Sequence, residues 1–586
     1  MKKIIVSILF TILLFSCNKK AETIDPKTLN EKFENYKEGF VIELWKLYPD
    51  WAASQGYHKL DSVLVVSDSI GIKKQLDFSH AQLDSLQRYS TEDLSDNNTI
   101  DYHIIKNQLQ SSIFRIDKLK SYQWNPSEYN VCGAFAEILN GKYDSLDVRL
   151  HNFHLKMNAI PAYYEAAKSN IKNPTLEHTA LAIAQNLGGL SVFKRDLPKA
   201  LDRSKLPESE KKAIRDKAKV AVNAITAYAD WLKALDNETP RSFRLGKALY
   251  EEKFDLDIQS SYEADTVFKK AVDHKKELHK KMFVLADKLW PKYMKSKPKP
   301  TDSLLAIKMV IDKISLQHTT PEKFQSAIEK QLPELVEFVK EKDLLYIDPS
   351  KPLVVRREPD YMAGVAGASI SAPGPYDKNA NTYYNVGSMS GWSAKKSESY
   401  LREYNDYILQ ILNIHEAIPG HYTQLVYSNQ SPSIIKAILG NGAMIEGWAV
   451  YSELMMLENG YKNSDEMWLM YYKWNLRSTC NTILDYSVHV KNMSQEEAIK
   501  LLVTEAFQQQ AEAEAKWNRV SLTQVQLCSY FAGYIEIYDL REMLKKEQGA
   551  NFNLKQFHEK FLSYGSAPVK YIKELMHKEI KKQSDL

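Results

Sequence analysis

The segment His415-Glu416-Ala417-Ile418-Pro419-Gly420-His421 lies in the C-terminal half of a 586-residue chain, and Glu446-Gly447-Trp448-Ala449 follows it further along. Together the two segments supply two histidines and two glutamates. Two imidazoles, a carboxylate as third ligand and a second carboxylate as proton acceptor are the groups that hydrolytic zinc chemistry requires. The pattern therefore predicts one Zn²⁺ held by His415, His421 and Glu446, with Glu416 as the general base.

The interval of six residues between the two histidines requires a break in the helix. In the familiar His-Glu-x-x-His motif the histidines lie about 40° apart around one helix, whereas six residues correspond to about 240°. Pro419 lacks a backbone donor and its ring clashes with the carbonyl of His415, while Gly420 tolerates unusual backbone angles. The Pro-Gly pair thus predicts a kink or bulge that returns His421 to His415. The alternative is a helix that ends at Pro419, with His421 as a capping or surface residue.

The N-terminus has the features of a secretion signal. Two lysines precede an apolar run from Ile4 to Phe15, which is too short for a normal transmembrane helix. Residues 14–17 resemble the lipobox of bacterial lipoproteins, so we expect a signal peptide over residues 1–16, acylation of Cys17 and a flexible tether over residues 17–35. This places the protein in the bacterial cell envelope, at the outer membrane or in the periplasm if the cell is Gram-negative. The alternative is a cleaved signal and a soluble secreted protein.

Charge and cysteine content exclude several classes of protein. The formal net charge is +4, and removal of Lys2 and Lys3 with the signal leaves +4 − 2 = +2. Such a balanced charge is not that of a nucleic-acid-binding protein. Besides Cys17 there are only three cysteines, far apart in the sequence, so no disulfide framework is expected.

Hydrophobic periodicity predicts a mainly α-helical protein. Apolar residues recur every three to four positions through most of residues 36–340, for example in 150–168 and 208–235. We expect residues 36–340 to form a helical scaffold lobe and residues 341–586 a catalytic lobe. The two lobes are expected to intertwine as one domain around a deep cleft. His151 and His154 lie three residues apart on one predicted helix, but without a nearby acidic ligand they are expected to be ordinary surface or packing residues.

The segment from Asp348 to Trp392 differs, being rich in Gly, Pro, Ser and Asn with short β-favouring stretches. We expect a small strand or hairpin before the His-Glu helix. The β-favouring stretches are 353–355 and 382–386. One interpretation is a strand here whose edge binds an extended peptide, with Tyr384 and Asn385 as candidates for contacting the substrate. The alternative is a purely structural loop. Further on, Ser494 and Glu497 form a capping-box pattern that predicts a helix from there to about Trp517.

These motifs resemble a known family, the bacterial proteins catalogued as domain of unknown function 885, which are grouped with the gluzincin-type zinc peptidases. His415-Glu416-x-x-Pro419-Gly420-His421 with Gln424 is similar to the family's His-Glu-x-x-Pro-Gly-His-x-x-Gln, and the Glu446 segment is similar to its second block. The resemblance implies a large two-lobed helical peptidase fold, zinc ligation by the three residues named above, and Glu416 as base.

The resemblance extends over most of the mature chain. Asp485 and His489 match the first and last positions of the family's Asp-x-Gly-x-His pattern, in which Ser487 stands in place of Gly, and Arg519, Gln526 and Tyr530 follow in the family's order and spacing. It suggests Tyr530 or His489 as the donor to the developing oxyanion, and Asp485, four residues before His489, as the group that orients its ring. Arg519 and Gln526 are candidates for binding the substrate backbone or a terminal carboxylate, although Arg519 fits a structural ion pair equally well.

The predicted function is thus hydrolysis of short peptides by a lipid-anchored zinc enzyme. Two other functions fit the sequence: a zinc hydrolase of non-peptide amides, and a lipoprotein that binds peptides without turnover. An intact Glu416 argues against the second, because a purely structural zinc site needs no adjacent base. The same ligands also bind other divalent ions, so the metal is not fixed by the sequence.

Overall fold

A computed structural model describes residues 25–358, 368–377, 381–431 and 433–584. Helices dominate these residues, as the periodicity predicts. The helices of the N-terminal half are α1 (Pro26–Leu47), α2 (Pro49–Ser54), α3 (Ser69–Leu86), α4 (Asp96–Ile113), α5 (Ser121–Trp124), α6 (Cys132–Asn140), α7 (Leu146–Met157), α8 (Ile160–Asn170), α9 (Leu176–Ser191), α10 (Leu197–Arg203), α11 (Glu208–Ala234), α12 (Lys247–Asp257) and α13 (Ala264–Met294).

The C-terminal half contains one small sheet and the remaining helices. The strands are β1 (Leu353–Arg357), β2 (Ala368–Ser371) and β3 (Thr382–Val386). The helices are α14 (Ser303–Ile314), α15 (Phe324–Glu341), α16 (Ala394–Glu403), α17 (Asp406–Glu416), α18 (His421–Gln430), α19 (Ile434–Ile438), α20 (Gly442–Glu458), α21 (Asp465–Val490), α22 (Gln495–Lys500), α23 (Gln510–Leu522), α24 (Ser529–Gln548), α25 (Leu554–Ser563) and α26 (Val569–Ser584). The predicted fold class, mainly helical with a small β element before the His-Glu helix, is confirmed.

Buried apolar side chains form two clusters. The smaller contains Leu64 and residues between 129 and 232, mainly from α6–α11, and the larger contains residues 29–124 together with 245–576. The predicted boundary at residue 340 falls inside the larger cluster, because α15 crosses it with Leu335 and Val339 buried. Within the residues that the structure describes, no helix is long and apolar enough to cross a membrane.

Three sequence-based boundaries differ from the structure. α1 begins at Pro26 with Leu29 and Phe33 buried, so residues 26–35 of the tether predicted over residues 17–35 form part of a packed helix instead. Residues 150–168 form two helices rather than one, because Pro161 fits only the first turn of α8. The capping box at Ser494 is present, but its helix does not reach Trp517, since the backbone of Phe507 is left-handed (φ 55°) and interrupts it.

The sheet is mixed, and β3 is its central strand. β1 pairs with β3 in parallel and β2 pairs with β3 antiparallel. Both edges of β3 are therefore paired, and the edge strands of this sheet are β1 and β2. The expectation that a strand edge in this segment binds a peptide stays a prediction for those two strands. Tyr384 and Asn385 lie on this central strand and are fully buried.

The two C-terminal helices α20 and α24 cross at very short distance. A Cβ added to Gly447 would lie 2.3 Å from the carbonyl carbon of Gly533, and one added to Gly533 would lie 1.8 Å from the carbonyl oxygen of Ala443. Only glycine permits this approach. The crossing brings Glu446 on α20 close to Tyr530 on α24.

Candidate metal centre

The helix breaks between the two histidines. α17 ends at Glu416 and α18 begins at His421, and the amide of Gly420 donates to the carbonyl of Ile414 (3.0 Å). The rings of His415 and His421 nevertheless lie side by side, with centroids 4.8 Å apart and planes at 89°. The predicted return of His421 to His415 is confirmed, and the break takes the form of a short turn between two helices.

Two features stabilise the turn: the close packing of Gly420 against preceding carbonyl groups, and a hydrogen bond from Trp448 in the second motif. A Cβ on Gly420 would lie 2.0 Å from the carbonyl oxygen of His415 and 2.3 Å from that of Ile414, so only glycine fits. The indole of Trp448 on α20 donates to the carbonyl of Pro419 (2.8 Å). The conspicuous Gly-Trp after Glu446 therefore supports the turn that positions His421.

We expect Gly420→Ala to destabilise the protein by about 1–3 kcal/mol or more and to weaken metal binding, because the added methyl collides with backbone atoms. Gly442→Ala is the matched control, since Gly442 also lies at a helix start and a Cβ there would meet nothing within 4 Å. Thermal unfolding with and without zinc measures both effects. Equal melting temperatures for the two variants would contradict this account of the turn.

Three ligand atoms converge at the turn. Nε2 of His421 lies 3.3 Å and Nε2 of His415 3.7 Å from Oε2 of Glu446. All three atoms lie within 4.8 Å of one another, and Oε2 of Glu446 is buried without a hydrogen-bond partner among the described residues. Zinc bonds of about 2.0–2.2 Å place neighbouring ligands of a tetrahedral site about 3.4 Å apart. The donor set and its spacing fit a zinc ion.

The electrostatics of the pocket favour a cation. Burial lowers the pKa of His415, but the carboxylates of Glu446 and Glu453 outweigh that effect and raise the pKa to about 10. Burial raises the pKa of Glu446, but the imidazoles of His415 and His421 outweigh it and hold the pKa well below its ordinary value. The site is thus built to hold positive charge beside Glu446 at neutral pH.

Glu453 is a functional candidate that the sequence reasoning missed. Its buried Oε1 lies 2.7 Å from Nδ1 of His415 and also accepts from the indole of Trp474 (3.0 Å). This contact leaves Nε2 of His415 directed towards Glu446. Seven residues separate Glu446 from Glu453, which places both within about 20° on one face of α20. This seven-residue interval is the sequence pattern from which Glu453 could have been identified. Carboxylates that bond the second nitrogen of a ligand histidine fix its orientation and raise its basicity.

Glu453→Gln is expected to raise the zinc dissociation constant about tenfold to a hundredfold, because an amide does not favour the Nδ1-protonated form of His415 as a carboxylate does. Competition with a chromogenic chelator measures the change. Glu458→Gln is the control on the same helix, since its carboxylate pairs with Arg541 (2.7 Å) instead. Unchanged zinc affinity in Glu453→Gln would show that Glu453 only packs beneath the site.

Glu416 stands beside the three ligands as the last residue of α17. It is partly exposed, and burial raises the pKa of its carboxyl although His421 and His415 oppose the change. A carboxylate whose pKa lies above its ordinary value is a better proton acceptor near neutral pH. Glu416 is thus placed next to the ligands without being one of the three converging groups.

Tyr530, Arg519 and Gln526 form a connected group next to His415. The ring of Tyr530 stacks near that of His415, with centroids 6.5 Å apart. Nη2 of Arg519 donates to Oε1 of Gln526 (2.7 Å) and to the hydroxyl of Tyr530 (3.2 Å). Burial and the charge of Glu446 raise the pKa of Tyr530 to about 12, so it remains a hydroxyl donor. The fold thus brings these three residues into contact, although they are separated in the sequence.

His489 and Asp485 lie elsewhere. Nε2 of the fully buried His489 faces the carbonyls of Val520 (2.9 Å) and Thr523 (3.2 Å). Asp485 accepts from the hydroxyl of Tyr250 (2.8 Å) and the amide of Val525 (3.0 Å), and no hydrogen bond between its side chain and His489 is present among the described residues. The predicted oxyanion role of His489 is therefore wrong, because its Nε2 faces backbone carbonyls. The orienting role of Asp485 stays a prediction, since burial raises the pKa of Asp485 while the charge of His489 opposes that change. Both side chains anchor the segment that leads into α24.

The predicted substrate contacts of Tyr384 and Asn385 are also wrong. The hydroxyl of Tyr384 donates to Oδ1 of Asn413 (2.7 Å), one of the last residues of α17. The amide of Asn385 accepts from Arg356 (2.6 Å) and donates to Ser371 (2.7 Å). With their polar atoms engaged inside the protein, both side chains hold the sheet and the His-Glu helix in place. Cys17, the predicted lipidation site, lies outside the described residues.

Comparison with known proteins identifies one family and two similar solved structures. Residues 49–576 match the family described as "Bacterial protein of unknown function (DUF885)". The solved structure of "a putative lipoprotein of unknown function from Shewanella oneidensis" is 54% identical, covers 93% of this chain and 99% of its own, and has a TM-score of 0.85.

A second solved structure, "the putative lipoprotein from Colwellia psychrerythraea", is 15% identical with a TM-score of 0.77 over 95% of this chain and 99% of its own, which is a likeness of fold alone. No curated protein matches the chain. The family match covers most of the sequence and confirms the family that the motifs resemble. The chain belongs to the DUF885 family of bacterial proteins of unknown function.

Proposed function

We propose that this protein is a zinc-dependent peptidase of the cell envelope that hydrolyses short peptides. The observation that carries the proposal is the convergence of Nε2 of His415, Nε2 of His421 and Oε2 of Glu446 beside Glu416, which is not one of the three converging groups. A structural zinc site uses four protein ligands and needs no adjacent base. Three converging ligands with a carboxylate next to them are the arrangement of a hydrolytic site.

Each residue has a defined task. A zinc ion held by the three ligands would act as a Lewis acid and lower the pKa of a water molecule that it binds. Glu416 accepts a proton from the attacking water and later gives it to the leaving amine. The Tyr530 hydroxyl donates to the carbonyl oxygen as negative charge develops on it, and Arg519 holds that hydroxyl in position. Glu453 keeps His415 in the orientation that binds the ion.

We also propose that an acylated Cys17 anchors the protein to the membrane. The lipobox-like residues 14–17 support the anchor, and both similar structures are described as a "putative lipoprotein". The first described helix, α1, begins at Pro26, nine positions after Cys17 in the sequence. Such an anchor would place the metal centre in the cell envelope.

Hydrolysis of a mixed pool of short peptides tests the proposed activity. The purified protein is loaded with zinc, and products are followed by mass spectrometry before chelation, after chelation and after zinc is restored. We expect fragments in the first and third samples only. If the zinc-loaded protein leaves every peptide intact but cleaves non-peptide amides, the substrate class is wrong. If it cleaves neither, the site does not serve hydrolysis.

A further inference from the structure

A group of basic side chains lies next to the proposed active site. α21 carries Lys473 and Arg477, four residues apart, and α23 carries Lys516 and Arg519, three residues apart. Such spacings place each pair on one helix face, and the two faces meet where α23 packs against α21. We name these four residues the cation cluster.

Two members of the cation cluster have carboxylate partners. Nζ of Lys473 lies 2.7 Å from Oε1 of Glu403, and Nη2 of Arg477 lies 2.6 Å from Oε1 of Glu512. Nη1 of Arg477 is nevertheless buried without a hydrogen-bond partner among the described residues. Nη1 of Arg477 is thus available to donate a hydrogen bond to a further acceptor.

Lys516 has no such partner. Its side chain is 4% exposed, and in the described part of the chain no carboxylate lies within 4.0 Å of its ammonium and no hydrogen bond to it is found. Burial and the charge of Arg477 lower the pKa of Lys516 well below its ordinary value, although the carboxylates of Glu512 and Glu403 oppose the change. A buried cation without a partner is costly for a folded protein, and an anionic ligand removes that cost.

The cation cluster is linked by contacts both to the wall of a cavity and to the metal centre. Arg519 bonds the hydroxyl of Tyr530, whose ring stacks near His415. Glu403 and Glu512 line a cavity of about 1070 Å³, which is large enough for a short peptide. An anion held by the cluster therefore lies close to the carbonyl that the metal centre would attack.

We propose that the cation cluster binds the C-terminal carboxylate of a peptide substrate through Lys516, Arg477 and Arg519, so that the enzyme removes residues from the C-terminal end. The proposal rests on the peptidase function proposed above. Water adds to the last peptide bond: its hydroxyl joins the carbonyl carbon, its proton goes to the amine, and the C–N bond breaks. The products are a shortened peptide with a new carboxylate and one free amino acid.

A terminal carboxylate fits the position better than a more distant acidic side chain. The path from the cluster to the metal centre passes through the single side chain of Tyr530. Nη2 of Arg519 lies 3.2 Å from the hydroxyl of that side chain, and the ring centroids of Tyr530 and His415 are 6.5 Å apart. Extended chain spans about 3.3–3.6 Å per residue, so a carboxylate bonded to Arg519 lies within a few residues of the scissile bond. An acidic side chain at such a residue has the same chemistry, and the experiment separates the two sources.

The test uses one mixed library of N-acetylated tripeptides made in two versions, with free C-terminal carboxylates and with C-terminal carboxamides. We expect wild type to release the C-terminal amino acid from the free acids with a KM about tenfold to a hundredfold lower than for the carboxamides. If only peptides ending in Asp or Glu are cleaved, in both versions, the cluster binds a side-chain carboxylate and the C-terminal proposal is overturned.

Lys516→Met removes the charge and keeps the alkyl chain. We expect it to raise the KM for the free acids about tenfold to a hundredfold, to leave the carboxamides unaffected, and to melt at the same temperature as wild type or higher, since an unpartnered buried charge is removed. Lys500→Met, at an exposed position on α22, is the control and should change nothing. A variant that melts lower and handles both versions equally would assign Lys516 a structural role and overturn the proposal.

Binding separates this inference from the peptidase proposal. Equilibrium dialysis of both libraries against zinc-loaded Glu416→Gln requires no turnover. If wild type cleaves neither library but the free acids still bind preferentially and lose that preference in Glu416→Gln with Lys516→Met, the peptidase function fails and the anion site stands. If wild type cleaves both libraries equally and binding shows no preference, the peptidase function stands and the anion site is refuted.

Discussion

Replacing Glu416 by glutamine is expected to lower the rate of peptide hydrolysis about a hundredfold to ten-thousandfold while the protein keeps its zinc. Glutamine has nearly the same shape but does not accept the proton of the attacking water, and general bases contribute rate factors of this size. Zinc remains bound because Glu416 is not one of the three converging ligands. Steady-state kinetics on one cleaved peptide, with metal analysis of the same samples, measure both quantities.

Glu398→Gln provides the control for this prediction, since its exposed carboxylate lies 3.4 Å from His318 at the mouth of a neighbouring cavity. The control should match wild type in rate and in zinc content. Glu416→Gln with full zinc and an undiminished rate would refute the role of Glu416 as base. Loss of zinc together with activity would instead make Glu416 a ligand, and the assignment of the three ligands would be wrong.

Loss of His421 is expected to abolish the stabilisation that zinc gives to the fold. A ligand that binds only the native state adds about 4 kcal/mol at a concentration a thousand times its dissociation constant. Wild type should therefore melt at a higher temperature when zinc is added. His421→Ala keeps only two of the three converging ligands, so its melting temperature should not respond to zinc. Thermal unfolding at several zinc concentrations makes the comparison.

His151→Ala is the matched control for that experiment. His151 is exposed on α7, and within the described ranges it is not part of any group of three ligand residues. Its variant should respond to zinc as wild type does. A zinc-dependent rise in the melting temperature of His421→Ala equal to that of wild type would show that zinc binds elsewhere in the protein.

The approach of His421 to His415 could be predicted from the sequence because the residues that determine it are local. His415, Glu416 and His421 lie within one turn of chain, and the Pro-Gly pair between them has backbone properties that force a break. Helical periodicity likewise predicts the fold class from spacing alone. The crossing of α20 and α24 could not be predicted from the sequence, because it depends on contacts between Gly447 and Gly533, which lie far apart in the chain.

The errors concern residues whose role depends on burial. His489 and Tyr384 carry groups that suit catalysis or binding, but both are fully buried and bonded to the protein. Conversely, Glu453 and Lys516 look like ordinary charged residues of helices. Only the packing of α20, α21 and α23 shows that Glu453 bonds His415 and that Lys516 has no partner among the described residues.

The most direct test of the metal centre is the zinc content of the wild-type protein, measured by mass spectrometry after zinc loading and exhaustive dialysis. The convergence of His415, His421 and Glu446 predicts about one zinc ion per chain. A protein that retains no metal after careful loading would contradict the account. In that case the Pro-Gly turn would be only the junction of two helices, and the peptidase proposal would fall with the site.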